Sequence, residues 1–112
     1  MPDEVLNNEQ TVTEETNVML DKVKMALRIT HIALDDEIQD VIDAALASLN
    51  AHGVVTEGRT GDEPDPLILN AVKLYARWQF DYLGKASQFE KAWQAALVVM
   101  ALCGDYEDAP NE

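Results

Sequence analysis

The side chains able to serve as nucleophile and base are one cysteine, Cys103, and two histidines, His31 and His52. A thiol and an imidazole make a catalytic pair only when the fold brings them within hydrogen-bond reach and a third group orients the base. Nothing in their spacing places the three together, and no local nucleophile signature surrounds the cysteine. His52 has a structural reason for its position near the end of a helical segment, where positive charge suits the helix dipole. Asp35, Asp36, Glu37, Asp40 and Asp43 are dense enough to suggest a divalent cation. They lack the spaced oxygen ligands and mid-loop glycine of a calcium loop, and read instead as the capped, solvated face of a helix. GRTGD, residues 58–62, has the glycines of a phosphate loop without the Lys and Ser or Thr that must follow the second glycine, so it reads as a flexible turn. Tyr75, Trp78, Tyr82, Phe89 and Trp93 fall at helical spacing, which favours core packing over an open binding platform. The sequence therefore names no catalytic, cofactor-binding or metal-binding residue, and the chain reads as a protein that is not an enzyme.

The elements available to position such groups are helices. Thr16 or Asn17 can cap a first helix over residues 18–28, with Leu20, Val23 and Leu27 inward and Met19 and Ala26 beside them. A break over 29–34 follows, then Asp35 as N-cap of a second helix running to residue 51. Its stripe is Ile38, Val41, Ile42, Ala45 and Leu49, its opposite face Asp36, Asp40, Asp43, Ala47 and Asn50, and Gly53 stops it. The loop over 53–65 is long for a compact domain, with room for a brief strand at 54–56. Asp65 and Pro66 form a cap and first-turn pair for a third helix over 66–83, whose only continuous polar stripe is Asn70, Lys73, Arg77 and Asp81. That makes it the central helix. Gly84 ends it, and Ser87 with Glu90 forms a capping box for a fourth helix over 88–102, striped by Phe89, Ala92, Trp93, Ala96, Leu97 and Met100. The expected fold is all-α, a small bundle of about four helices with flexible acidic termini.

Length and charge narrow the partners. At 112 residues the chain suits one domain over 16–104, with an acidic arm at 1–15 and an acidic tail at 105–112. The formal charge is -13, and both ends contribute carboxylates without a single Lys or Arg. The eight cations are scattered among carboxylates, unlike the clustered basic footprint that grips phosphates. A second helix faced with Asp36, Asp40 and Asp43 would likewise repel DNA in a helix-turn-helix arrangement. No secretory signal pattern opens the sequence and no apolar run is long enough for a bilayer, so a cytosolic, non-membrane protein is expected. Cys103 has no partner for a disulfide and sits in an apolar run, where a small buried hydrophobe is its expected role.

One feature resists a self-contained fold. Beyond Gln94 the fourth helix has no polar face, because Val98, Val99, Ala101 and Leu102 occupy the side where polar residues should recur. Covering one Val or Leu is worth roughly 1.5 to 3 kcal/mol, a sizeable share of a small domain's stability. Leu97, Val98, Val99, Ala101 and Leu102 are therefore candidate subunit-interface residues. Asp36, Asp40 and Asp43 are candidates for an acidic surface facing a bore, and Gly58, Arg59, Thr60 and Gly61 for a loop that contacts a partner.

In order and spacing, LDKVKMALRI (20–29), DDEIQDVIDAALASL (35–49), PLILNAVKLYARWQF (66–80) and FEKAWQAALVVMALCGDY (89–106) resemble the phage head-tail connector family, also called head-completion or adaptor proteins. The last segment is similar to the ending of some members, whereas others end in a shorter Pro- and Gly-containing stretch. The resemblance implies an all-helical domain that forms a ring, expected to be twelvefold, beneath the portal of a tailed phage. It implies a portal protein above, a stopper or tail-completion protein below, and DNA passing through without specific binding. The location would be the head-tail interface of the virion, with the host cytoplasm during assembly, and no catalysis or cofactor is implied. A rival is a small acidic binding or carrier protein, antitoxin-like or acyl-carrier-like. Such carriers place an attachment Ser in an Asp-Ser-Leu triplet at the start of the second helix, where this chain reads Leu34, Asp35, Asp36, and Ser48 falls near the helix end.

Overall fold

The computed structural model describes residues 18–107. Among the described residues four helices make an all-α bundle: α1 Val18–Leu27, α2 Asp35–Ala51, α3 Pro66–Gln79 and α4 Ala86–Cys103, with a turn of 3-10 helix, Tyr82–Gly84, between the last two. The arm over 1–15, the cap expected from Thr16 or Asn17, and residues 108–112 of the tail lie outside the described residues.

Helices α1 and α2 are amphipathic as their spacing predicts. Met19, Leu20, Val23 and Leu27 of α1 and Ile38, Ile42, Ala45 and Leu49 of α2 are buried, with Val41 partly so. Both helices end with the same pair of backbone bonds. In α2 the Gly53 amide donates to the Asn50 carbonyl and Val54 to Leu49; in α1 Arg28 donates to Met25 and Ile29 to Lys24. This closure needs a left-handed residue just past the helix, which glycine supplies without strain at Gly53 (φ 89°) and a Cβ-bearing residue supplies at some cost at Arg28 (φ 60°). The break between α1 and α2 is tied by Lys24 Nζ, 2.7 Å from Asp35 Oδ1. Asp35 is thus not the N-cap. Leu34 holds that place without a side-chain bond, and the Asp35 carboxylate turns to the α1 lysine instead.

Helix α3 is the hub. Among the described elements it packs against α1, α2 and α4, whereas α4 packs substantially on α3 alone. Ile68, Ala71, Val72 and Ala76 of α3 are buried, the two alanines letting neighbouring helices approach. The helix stops at Gln79, short of residue 83, because Asp81 (φ 50°) and Leu83 (φ 56°) turn left-handed. That bend sets the Tyr82 ring 6.2 Å from Phe89. It also aims Asp81 Oδ1 at the Ala86 amide, 3.0 Å away, one of the donors left over at the start of α4. The Ser87–Glu90 capping box does not form: α4 begins at Ala86, so Ser87 is inside the first turn and Lys85 at the cap makes no side-chain bond.

The loop over 53–65 holds no strand; Val54–Thr56 instead makes one backbone bond to the chain end, from the Val55 amide to the Tyr106 carbonyl at 2.7 Å. Asn50, expected to face solvent idly, anchors that loop: its amide donates to Thr56 Oγ1 and its carbonyl oxygen accepts from the Thr56 amide. Asp65 caps α3 as expected, Oδ1 accepting from the Leu67 and Ile68 amides at 2.9 and 3.2 Å. The same oxygen accepts from the Tyr106 hydroxyl at 2.8 Å. Tyr106 is only 7% exposed, so the packed chain continues past the boundary expected at residue 104.

Two stability measurements check this framework. Arg28→Gly should raise unfolding free energy by about 0.5–1 kcal/mol in urea denaturation, because glycine relieves the left-handed strain. Burial first, then the Asp65 carboxylate, push the Tyr106 hydroxyl from 10.0 up to about 12. The folded state therefore holds this proton more tightly than the unfolded chain. The resulting stabilisation is intact below pH 10.0 and disappears as pH rises to about 12. Tyr106→Phe should cost about 1–2 kcal/mol at neutral pH and remove that alkaline loss, read as a flatter stability profile than wild type.

Candidate functional site

Among the described elements α3 is the one substantial neighbour of α4, which buries one face against it. Trp93, Leu97 and Met100 take it, with the Tyr75 ring edge-on to Trp93 at 4.9 Å and to Trp78 at 5.4 Å. These rings are core and core rim, as their spacing suggests. The opposite face carries Ala95, Val98, Val99 and Leu102, a second stripe at helical spacing. Val98 is 57% exposed, Val99 56% and Leu102 82%. Beside this ridge, Leu67 and Asn70 of α3 with Ala96 and Val99 of α4 line a shallow groove. Of the residues expected at a subunit interface, Val98, Val99, Ala101 and Leu102 are exposed. Leu97 is not: helical geometry turns it onto α3, where it belongs to the monomer core.

The acidic candidates Asp36, Asp40 and Asp43 are all exposed on α2, with Gln39 donating to Asp43 at 3.0 Å. They form the solvent face of a helix whose other side is core, so a row of negative charge follows from amphipathicity alone.

The loop candidates divide. Gly58 and Gly61 are exposed and Thr60 half-buried, but Arg59 is committed within the molecule. Its guanidinium donates to the carbonyls of Val55 at 2.6 Å and Asp105 at 2.9 Å, and lies 4.7 Å from the Tyr106 ring centre. Arg59, Asp65 and Tyr106 thereby clasp the loop, the start of α3 and the chain end together. Sequence spacing misses this because Asp105 and Tyr106 lie more than 40 residues from Arg59 and Asp65, respectively; the one local hint is an aromatic two residues past the glycine that ends α4. Arg77 is a second such tie. It donates to the Ala26 carbonyl at the end of α1 and lies 5.5 Å from the Tyr82 and 5.8 Å from the Phe89 ring centres.

His31, His52 and Cys103 are each engaged locally. His31 Nδ1 accepts from the Ala33 amide, His52 Nδ1 bonds the Ser48 carbonyl, and Cys103 donates to Asp105 at 3.2 Å. Cys103 is exposed, contrary to the buried role expected from its apolar neighbours, because it lies on the final turn of α4 where no other element covers it. Among the described residues no group of three or more His, Cys, Asp or Glu is placed to hold a metal. No described helix is long and apolar enough to cross a membrane.

The features that stand out are thus an uncovered apolar ridge, an acidic helix face and a clasped loop, the makings of contact surfaces. A family model described as phage connector protein matches residues 19–105. No curated protein and no solved structure matches the chain. The matched span starts at the first buried side chain of α1 and runs past the end of α4, covering every helix of the bundle. The chain belongs to the phage connector protein family.

Proposed function

We propose that this chain is the structural head-tail connector of a tailed phage, assembling as a ring beneath the portal and above a stopper or tail-completion protein. The observation that supports it is the outward stripe of Ala95, Val98, Val99 and Leu102 on a helix with one substantial neighbour. A ring needs a repeated contact between two different patches of the same chain, a heterologous interface whose rotation closes. The α4 ridge is one patch. Ile32, 79% exposed on the link between α1 and α2, marks the other. Twelve copies, to match the portal, is the reading that the family resemblance favours. The virion is the place of action, the host cytoplasm the place of assembly, and no catalytic step or cofactor enters.

Negative charge supplies the second half of the mechanism. With Asp36, Asp40 and Asp43 facing the bore, duplex phosphates meet a like-charged wall and slide without a binding minimum. The tip of the loop at Gly58, Thr60 and Gly61 remains available to a partner while Arg59 holds its base.

Sedimentation velocity across concentration, with and without portal protein, followed by electron microscopy of the heaviest species, tests the ring. Val98→Asp with Leu102→Asp should weaken subunit association roughly a hundredfold while the circular dichroism stays helical. An unfolded product would show that the ridge is needed inside the monomer instead. Mixing that variant with Ile32→Asp should give dimers and no rings, because each variant keeps one of the two patches; rings in the mixture would refute the heterologous contact. Charge reversal at Asp40→Lys and Asp43→Lys should leave rings intact and slow genome ejection from reconstituted particles, and unchanged ejection would remove the bore assignment.

A further inference from the structure

In a chain of net charge -13, three of the eight cations converge on one groove. Lys22 and Ala26 of α1 and Lys73 and Arg77 of α3 line it, with Met25, 74% exposed, at its edge. The groove encloses about 240 Å³. Arg77 is held there by the Ala26 carbonyl. Neither lysine has a carboxylate within ion-pair distance among the described residues, where the Lys24–Asp35 pair stands alone. Three like charges gathered over apolar carbon repel one another unless an anion joins them.

The sequence contains a matching anion close by. Residues 1–15 carry Asp3, Glu4, Glu9, Glu14 and Glu15 with no Lys or Arg, and Asp3 and Glu4 directly precede Val5 and Leu6. Carboxylates followed by aliphatic side chains complement cations around an exposed methionine. The arm joins α1 just before Val18, one helical turn from Lys22. At roughly 3.3 Å per extended residue, the eleven residues between Leu6 and Val18 reach back over the groove with length to spare. A tether of that length also gives an effective concentration on the order of millimolar, which no free partner matches. Duplex DNA is the poorer occupant: affinity for it grows with the number of phosphates neutralised, and this groove offers three cations.

We infer that the Lys22–Lys73–Arg77 groove is the docking site of the chain's own N-terminal acidic arm, Asp3 and Glu4 meeting the lysines and Val5 and Leu6 covering Met25. The docking is intramolecular and does not depend on ring formation. It quenches the cationic groove and holds the arm against the α1–α3 face.

Zero-length carbodiimide coupling of the full chain reads this directly, because it joins a carboxylate to a lysine only in contact. In a mixture of 14N and 15N chains, peptide mapping should show arm carboxylates coupled to Lys22 and Lys73 within single chains, and these links should fade at high salt. Lys73→Glu should lower coupling at Lys22 about threefold or more, whereas Lys73→Arg, which keeps the charge, should preserve it. Asp3→Ala with Glu4→Ala should abolish the links from that end of the arm without changing the helical circular dichroism. Coupling spread evenly over Lys85 and Lys91, loss of coupling at Lys22 in Lys73→Arg, or links found only between light and heavy chains would overturn the inference, the last by assigning the groove to a second copy.

Discussion

A single carboxylate oxygen, Asp65 Oδ1, accepts from two amides at the start of α3 and from the Tyr106 hydroxyl near the end of the described chain. The amides fix where the central helix begins, and the phenol closes the molecule by bringing the chain beyond α4 back to that point. Arg59 reinforces the closure through the Asp105 and Val55 carbonyls and the face of the same ring. Without it, α4 would rest on α3 through Trp93, Leu97 and Met100 with nothing to hold its far end. Charge-assisted hydrogen bonds shielded by an aromatic ring are stronger than exposed ion pairs, which is why so small a cluster can organise three segments.

This clasp has a consequence for α4. Asp81 bonds the start of the helix and Tyr106 ties the chain beyond its end, so α4 forms an edge of the bundle with its outer stripe exposed. An apolar ridge tied at both ends loses less conformational freedom on binding than an untethered one. In the proposed ring, the apolar ridge supplies the attraction at contact against the long-range repulsion between copies this acidic.

Most of the architecture is written locally. The stripes of α1 and α2, the Asp65–Pro66 start of α3 and the Gly53 stop are set by side chains within a turn or two of one another, so periodicity and capping chemistry locate them. Expectations failed at the connections, where a residue from the neighbouring element competes with one inside the helix. Asp35 leaves its cap for Lys24, Ser87 yields to Asp81, and α3 ends at Gln79 because Asp81 and Leu83 are bent to seat Tyr82 on Phe89.

The surfaces divide the same way. That the last helix is apolar all round beyond Gln94, and that α2 is acidic on one side, is evident from residue spacing, because a helix has a fixed angular repeat. Which half of α4 faces out is a tertiary matter: it depends on α3 being the one substantial neighbour, which sends Leu97 inward and leaves Val98, Val99 and Leu102 exposed. The gathering of Lys22, Lys73 and Arg77 and the closure of Arg59, Asp65 and Tyr106 are likewise products of packing. Lys22 lies more than 50 residues from Lys73 and Arg77, and Tyr106 more than 40 from Arg59 and Asp65, so only the docking of helices brings each set together.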